Sequence, residues 1–389
     1  MKKIAVVTTT RAEYGLLRPV ILELRKFESD KLRVDLLVSG THLSDQFGMT
    51  VDEIKKDGLR IDSEIPIALN TNSPLEISGN QADVLMKFTE LFQQKQYNGV
   101  VLLGDRYEIL AVAIAATNTQ TPIFHISGGD VTEGAVDESN RHSITKMSFL
   151  HFPTNYESWK RVIQLGEDPG RVFNFGSTSI DNIKNLPLLS KKEAMESVNC
   201  QNDCFAVCTY HPVTLEKNNP EELMESFFMA IAAFPEIDFI VTKSNADQGG
   251  NVINELLDRK GKILNNMFVF SSLGVRRYLS LVKYSQFVLG NSSSGIIEVP
   301  AFGVPTVNIG DRQKGRLRSE SIIDCKPDSD SIINAIHYAL NDDFREKCRR
   351  VISPFGDGTA SIKIAEKCIN VISKSVDLKK SFYDVEFSI

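Results

Sequence analysis

Strand-like apolar runs and helix-like periods alternate along the chain almost from end to end, which is the pattern of parallel α/β architecture. In the first half, short apolar runs predict strands at 4–9, 34–39, 100–104, 123–126, 150–153 and 172–175. The segments between them carry apolar residues at helical spacing, most clearly over 76–94 and 107–117. A polar stretch, 184–203, has no strand signal and reads as an interdomain connection. The pattern then restarts, with strands predicted at 205–210, 239–242, 267–271, 287–289, 306–309 and 321–324. The tail 359–373 returns to helical spacing through Ile362, Ile364, Ala365, Cys368, Ile369 and Ile372. The expected fold is therefore α/β, with two Rossmann-like doubly wound domains facing across a cleft where the C-terminal ends of both sheets meet. The first domain is expected over 1–183, completed by a C-terminal helix at 359–389, and the second over 184–358.

Composition changes this picture little. A chain of 389 residues with 42% apolar and 24% charged residues is ordinary for a globular protein and long enough for two cores. A net charge of −6 argues against nucleic acid or an anionic membrane as the main partner, while leaving room for a local anion site. No apolar run approaches the ~20 residues of a membrane span. The start, MKKIAVVTTTRAEYG, has an apolar run too short for a signal peptide. Six cysteines without a CxxC pair suggest neither a disulfide framework nor a zinc site, so reduced thiols and a cytoplasmic setting are expected.

The most informative stretch is 285–312, SQFVLGNSSSGIIEVPAFGVPTVNIGDR. An apolar run breaks into Gly290-Asn291-Ser292-Ser293-Ser294-Gly295 and then into a helix-like IIEVPAF. Backbone N–H groups and hydroxyls at the positive end of a helix suit a phosphate. Glu298, about one turn further on, is placed to accept hydrogen bonds from sugar hydroxyls. A capped helix without a ligand would also give such a turn. At the exit of the first strand, Thr10 and Glu13 have the spacing of a capping box, a purely structural device. Arg11 between them is unusual, because a cation in the first turn of a helix is disfavoured without an anion nearby. Neither a Walker motif nor GxGxxG follows this strand, which counts against phosphate-loop NTPases and dinucleotide enzymes.

Two further strand exits, LLGDRYE at 102–108 and HISGGD at 125–130, would open on the same edge of a parallel sheet. Asp105 and Asp130 are then expected at one crevice, with Asp137 and Glu138 at a helix start just beyond. Several carboxylates in one crevice suit acid–base chemistry, since their surroundings can push their pKa values apart. Asp137 and Glu138 would also occur at a helix start for electrostatic reasons alone. In the second half, His211 closes one strand and Lys243-Ser244-Asn245 the next, where Asn245 could meet a base or a phosphate. Of the basic cluster Arg312, Lys314, Arg316 and Arg318, only Arg312 clearly belongs to a strand exit, and the rest read as a solvated loop. These residues describe a nucleotide-sugar binder, with the diphosphate on the C-terminal half and the sugar at the carboxylates.

TTTRAEYG, LGDRYE, HISGGD with EGAVDESNRHSITKMS, YHPVT, and GNSSSGIIEVP with VNIGDRQKGR together resemble the hydrolysing UDP-N-acetylglucosamine 2-epimerases over nearly the whole chain. The resemblance implies a glycosyltransferase-B-like fold and release of UDP and N-acetylmannosamine, the first step toward sialic acids. A close cousin acts on UDP-2,4-diacetamido-2,4,6-trideoxyglucose in the legionaminic acid route. The implied mechanism eliminates UDP across C1–C2 to a glycal and then adds water. By resemblance, Arg11, Ala12, His42, Arg106, His211, Asn245, Ser292, Ser293, Ser294, Gly295, Glu298 and Arg312 bind the UDP-sugar, with Glu298 on the ribose. Asp105, Asp130, Glu133, Asp137, Glu138 and His211 form the implied catalytic set, and the residues leave the base open among the carboxylates. The chain departs from its relatives at Ser127, where they often carry Glu. His42 and Gln46 are candidates for reading the sugar. No cofactor and no metal are demanded, and the family is usually dimeric or tetrameric. A non-hydrolysing 2-epimerase fits less well, because SGGDVTEGAVDES stands where that group has an EAGLR-type run. A glycosyltransferase and a non-catalytic nucleotide-sugar sensor are the alternatives from other classes.

Overall fold

The computed structural model describes residues 1–70, 73–132, 135–212, 220–244, 250–374 and 376–386. The chain divides into two compact units: Met1–Asp130 with Val136–Lys184 and Phe355–Ile389, and Val131–Ala135 with Asn185–Pro354. The first is built on β1 (Lys2–Thr8), β2 (Leu32–Ser39), β3 (Ser63–Ile65), β4 (Gly99–Leu103), β5 (Ile123–Ile126) and β6 (Leu150–Phe152). These form a parallel sheet in the order β3-β2-β1-β4-β5-β6. The second contains β7 (Phe205–Thr209), β8 (Asp238–Thr242), β9 (Met267–Phe270), β10 (Val288–Gly290), β11 (Thr306–Ile309) and β12 (Ile322–Cys325). Its parallel order, β12-β11-β10-β7-β8-β9, is the first sheet's order counted from β7. In each sheet the direction of winding reverses between the first and fourth strands, and ligands of such folds bind beside those strands' C-terminal ends.

The central strands read as unbroken apolar runs because both faces are covered. Ile4 and Val6 pack with Leu17, Val20, Ile21 and Leu24 of the helix Arg11–Arg25 and with Ile364, Cys368 and Ile372 of the helix Ala360–Ser373. Ala5 and Val7 face Val84, Phe88 and Phe92 of the helix Pro74–Lys95. The C-terminal helix is thus part of the first unit's core.

Two buried polar residues of the helix Thr178–Asn185 secure these long helices from outside. Pro19 has no N–H to give the Gly15 carbonyl one turn earlier. Asn182 Nδ2 supplies that hydrogen bond instead, at 2.5 Å. Its neighbour Asp181, fully buried, accepts the Ala360 and Ser361 N–H groups at 3.1 and 2.6 Å and caps the C-terminal helix.

The structure departs from the sequence expectations in five places. Residues 172–175 make only a single bridge, Val172 to His151, and the apolar signal there comes from Phe173 and Phe175, whose rings pack against Phe152. β3 escaped notice, being a three-residue edge strand with one apolar side chain. The polar stretch 184–203 contains a helix, Lys191–Glu196, opened by a complete capping box from Ser190 and Glu193. At the first helix the box is only half formed. Thr10 accepts the Glu13 N–H at 3.3 Å, but the Glu13 carboxylate reaches past it to Thr9 N at 2.7 Å. Finally, the C-terminal helix ends at Ser373, and residues 376–386 run on without regular structure. There Tyr383 N donates to Gly166 O at 2.9 Å, and Lys380 Nζ reaches the buried Glu167 at 2.6 Å. Burial would raise the Glu167 pKa, but His151, Lys146 and Lys380 reverse this and hold it down at about 2.

His42, expected to meet substrate, instead belongs to this unit's core. It is 0% exposed, with Nε2 3.0 Å from Thr8 Oγ1 and Nδ1 2.8 Å from Thr50 Oγ1. Both ring nitrogens are therefore satisfied internally. Burial lowers its pKa to about 4.

Two consequences can be measured. Asp181→Ala strands two buried helix N–H groups, so the midpoint of urea unfolding should drop by the equivalent of about 2 kcal/mol. An unchanged midpoint would show that the cap is dispensable. His42 binds a proton more weakly when folded than its ordinary value of about 6.5. Its contribution to stability is therefore complete above that pH and is lost as pH falls toward 4. Buried Glu13, whose pKa is raised to about 7, works in the opposite sense over the overlapping range. Comparison with His42→Gln isolates the histidine: the variant's stability should fall less steeply between pH 6.5 and 5 than the wild type's. Equal slopes would contradict the assignment.

Candidate functional site

In the first unit the candidate residues lie at the exits of β1, β4 and β5. Arg141, on the helix Asp137–Met147, is 2% exposed and gathers three of the expected groups. Its Nη2 donates to Asp105 Oδ2, and its Nη1 donates to Glu138 Oε2 at 2.9 Å and to the Asp130 carbonyl at 2.7 Å. Burial alone would lower the arginine's pKa, but the charges of Asp105 and Asp130 more than offset this and raise it. The guanidinium therefore stays charged. The side chains of Asp105 and Glu138 are 24% and 28% exposed, which leaves them accessible to a ligand. Asp137 occupies the first turn of the same helix.

Asp130 is held differently. Its carboxylate is turned inward, accepting from Ser158 Oγ at 2.5 Å and, more weakly, from Asn155 Nδ2 at 3.4 Å and Thr154 Oγ1 at 3.5 Å. The preceding Gly129 has φ +81°, and a Cβ there would lie 2.3 Å from the Ser158 carbonyl oxygen. Glycine is thus required for Asp130 to sit against that helix. Ser127, two residues earlier, occupies the left-handed region at φ +65°, a strained conformation for serine. His125 is buried and donates from Nε2 to the Gly104 carbonyl at 2.8 Å, and burial lowers its pKa to about 4. It is a neutral strut beneath Asp105.

At the β1 exit, Arg11 opens the helix Arg11–Arg25, followed by exposed Ala12. Burial lowers the pKa of Arg11, and the charge of Glu53 partly compensates. Arg106 pairs with the fully buried Glu108 at 3.2 Å. Glu133 and Asn245 lie outside the described residues.

In the second unit the exits of β7 and β10 meet closely. A Cβ on Gly290 would lie 2.0 Å from the Thr209 carbonyl oxygen, so only glycine allows this approach. Asn291, 1% exposed, then joins the two exits. Its Oδ1 accepts the His211 N–H at 2.7 Å, and its Nδ2 donates to the His211 carbonyl at 2.8 Å. Its own carbonyl accepts from Gln313 Nε2 at 2.7 Å and from Arg312 Nη1 at 3.1 Å. Asn291 thus sets the positions of both His211 and Arg312. The His211 ring has Nδ1 3.3 Å from Ser244 Oγ. Ser292 caps the short helix Ser293–Ile297, and Gly295 packs against Thr306.

Two expectations need correction here. The Ser294 hydroxyl is not available to a phosphate, because it donates its single proton to Glu298 Oε2. The basic residues beyond Arg312 are not simply a solvated loop. Arg318 pairs with Asp324 and donates to the Gln313 carbonyl at 3.0 Å, and Arg316 donates to Val131 O and Thr132 Oγ1, each at 2.9 Å.

Sequence reasoning passed over Arg141, Asn291 and Tyr278. The spacing of Glu138 and Arg141 was a usable signal for the first, and a polar residue directly after a buried strand for the second. Tyr278 meets Ser294 only through tertiary structure. Among the described residues no group of three or more His, Cys, Asp or Glu could hold a metal ion, and no helix is long and apolar enough to cross a membrane.

Comparison with known proteins places the chain. A family model described as UDP-N-acetylglucosamine 2-epimerase matches residues 25–368. Polysialic acid biosynthesis protein P7 of Escherichia coli is 38% identical, over 99% of this chain and 98% of that protein. The GDP/UDP-N,N'-diacetylbacillosamine 2-epimerase (hydrolyzing) of Campylobacter jejuni is 37% identical, over 99% of both. The fold matches that of the Neisseria meningitidis UDP-GlcNAc 2-epimerase, solved bound to UDP-GlcNAc, with a TM-score of 0.78 at 18% identity over 95% of this chain and 100% of that one. With a family match over most of its length and two full-length relatives well above 30% identity, the chain belongs to the UDP-N-acetylglucosamine 2-epimerase family of enzymes.

Proposed function

We propose that this protein is a hydrolysing 2-epimerase that converts UDP-N-acetylglucosamine and water to UDP and N-acetylmannosamine, opening a route to sialic acids. The observation that carries the reading is the convergence of Asp105, Glu138 and the Asp130 carbonyl on the buried Arg141 guanidinium. The hydrogen at C2 of the sugar is poorly acidic, so its removal needs a positioned base as UDP departs from C1. The C2–H and C1–O bonds break, a C1=C2 double bond forms, and UDP leaves with the C1 oxygen. Water then adds, its oxygen to C1 and a proton to C2 on the opposite face, giving the inverted sugar.

The proton transfers are assigned to Asp105 and Glu138, the accessible members of the cluster, with Asp137 beside them. Asp130 is assigned a positioning role, because its carboxylate faces Ser158. UDP is assigned to the β7 and β10 exits. His211 and Arg312 stabilise the departing diphosphate, the N–H groups around Ser292 and Ser293 bind phosphate, and Glu298 takes the ribose. Within the first unit, Arg11 and Arg106 are proposed as substrate-binding cations. We further propose a homo-oligomeric, cytoplasmic enzyme. A second reading, UDP-2,4-diacetamido-2,4,6-trideoxyglucose as substrate, is supported by the name of the Campylobacter jejuni relative.

Proton NMR of the purified protein with UDP-N-acetylglucosamine in D₂O tests the proposal. The expected result is UDP together with N-acetylmannosamine deuterated at C2. Turnover of the diacetamido sugar nucleotide alone would establish the second reading. Accumulation of intact UDP-N-acetylmannosamine, or no reaction with either sugar nucleotide, would overturn both.

A further inference from the structure

Glu298 is held by a chain of hydroxyls that begins on a different helix. Tyr278, on the helix Gly274–Tyr284, donates its hydroxyl to Ser294 Oγ at 2.7 Å. Ser294 Oγ in turn donates to Glu298 Oε2. A serine hydroxyl has one proton and two lone pairs. With the proton committed to Glu298, Ser294 meets Tyr278 only as an acceptor, so the chain runs in one direction from tyrosine to carboxylate. Hydrogen bonds aligned in this way strengthen one another. Burial and the charge of Glu298 raise the phenol's pKa, keeping the tyrosine a donor at any physiological pH. Burial likewise raises the Glu298 pKa, with the Ser294 bond opposing it. Among the described residues, Glu298 Oε1 has no hydrogen-bond partner in the structure.

We propose that Tyr278 is a positioning residue for nucleotide recognition: acting through Ser294, its hydroxyl fixes Glu298 with Oε2 turned inward and Oε1 presented to the vicinal diol of the ribose. The inference rests on the assignment of UDP to this unit. It gives the Tyr278 hydroxyl a function separate from its ring, and it explains why Ser294 is unavailable to the diphosphate. Discrimination for a ribose diol then depends on a residue that need not touch the ligand through its hydroxyl.

Calorimetric titration of UDP and of 2′,3′-dideoxyuridine diphosphate into wild type, Tyr278→Phe, Ser294→Ala and the double variant tests this. Phenylalanine keeps the ring and its packing. Tyr278→Phe should weaken UDP by about fivefold, the usual worth of one buried hydrogen bond, and leave the dideoxy nucleotide within about twofold. The double variant should bind UDP no more weakly than Ser294→Ala, because the tyrosine acts only through the serine. Equal losses for both nucleotides would indicate a merely structural role and overturn the proposal, as would unchanged UDP affinity or additive losses in the double variant. A wild type that binds no UDP would overturn the assignment of this unit itself, and the first titration shows that before any variant is made.

Discussion

A guanidinium buried to 2% exposure is costly unless its charge and donors are matched, and Arg141 sits at that limit. Its partners come from three places: Asp105 after β4, the Asp130 carbonyl after β5, and Glu138 one turn back on its own helix. The requirement that this one cation be neutralised therefore draws two strand exits and a helix start into a fixed arrangement. His125 supports it from below through the Gly104 carbonyl, and Gly129 allows Asp130 to approach Ser158. These carboxylates are thus positioned by what they do for the arginine before any ligand arrives.

The second unit reaches an equally determined arrangement with a neutral side chain. Asn291 uses its amide and its carbonyl to hold His211, Arg312 and Gln313. The two units share one strand order, and the polar residues gather at strand exits in both, after β4 and β5 in the first and after β7 and β10 in the second. What differs is the sign of the chemistry. Carboxylates around a cation characterise the first unit, whereas N–H donors, His211 and Arg312 characterise the second. The proposed proton transfers fall to the first unit and most of the proposed phosphate-binding groups to the second.

Much of this was legible in the sequence because parallel sheets buried on both faces leave strong signals. Runs such as Ile4–Val7 mark the central strands, and polar residues directly after them mark the exits. β3 and the segment 172–175 misled for opposite reasons, the one too short to show a pattern and the other apolar through rings that pack against Phe152. His42 misled because a histidine after a strand looks the same in sequence whether it faces a ligand or two buried hydroxyls. Arg141 and Tyr278 show the remaining gap. Their importance lies in which distant groups they meet, and local spacing carries that information weakly or not at all.

The central claim is that Arg141 organises the proton-transferring carboxylates while nucleotide binding resides elsewhere. Its most direct test is Arg141→Met, assayed for turnover and titrated with UDP. The account predicts UDP affinity within about twofold of wild type and turnover reduced by at least about a hundredfold. Near-normal turnover in a variant that still binds UDP would contradict it.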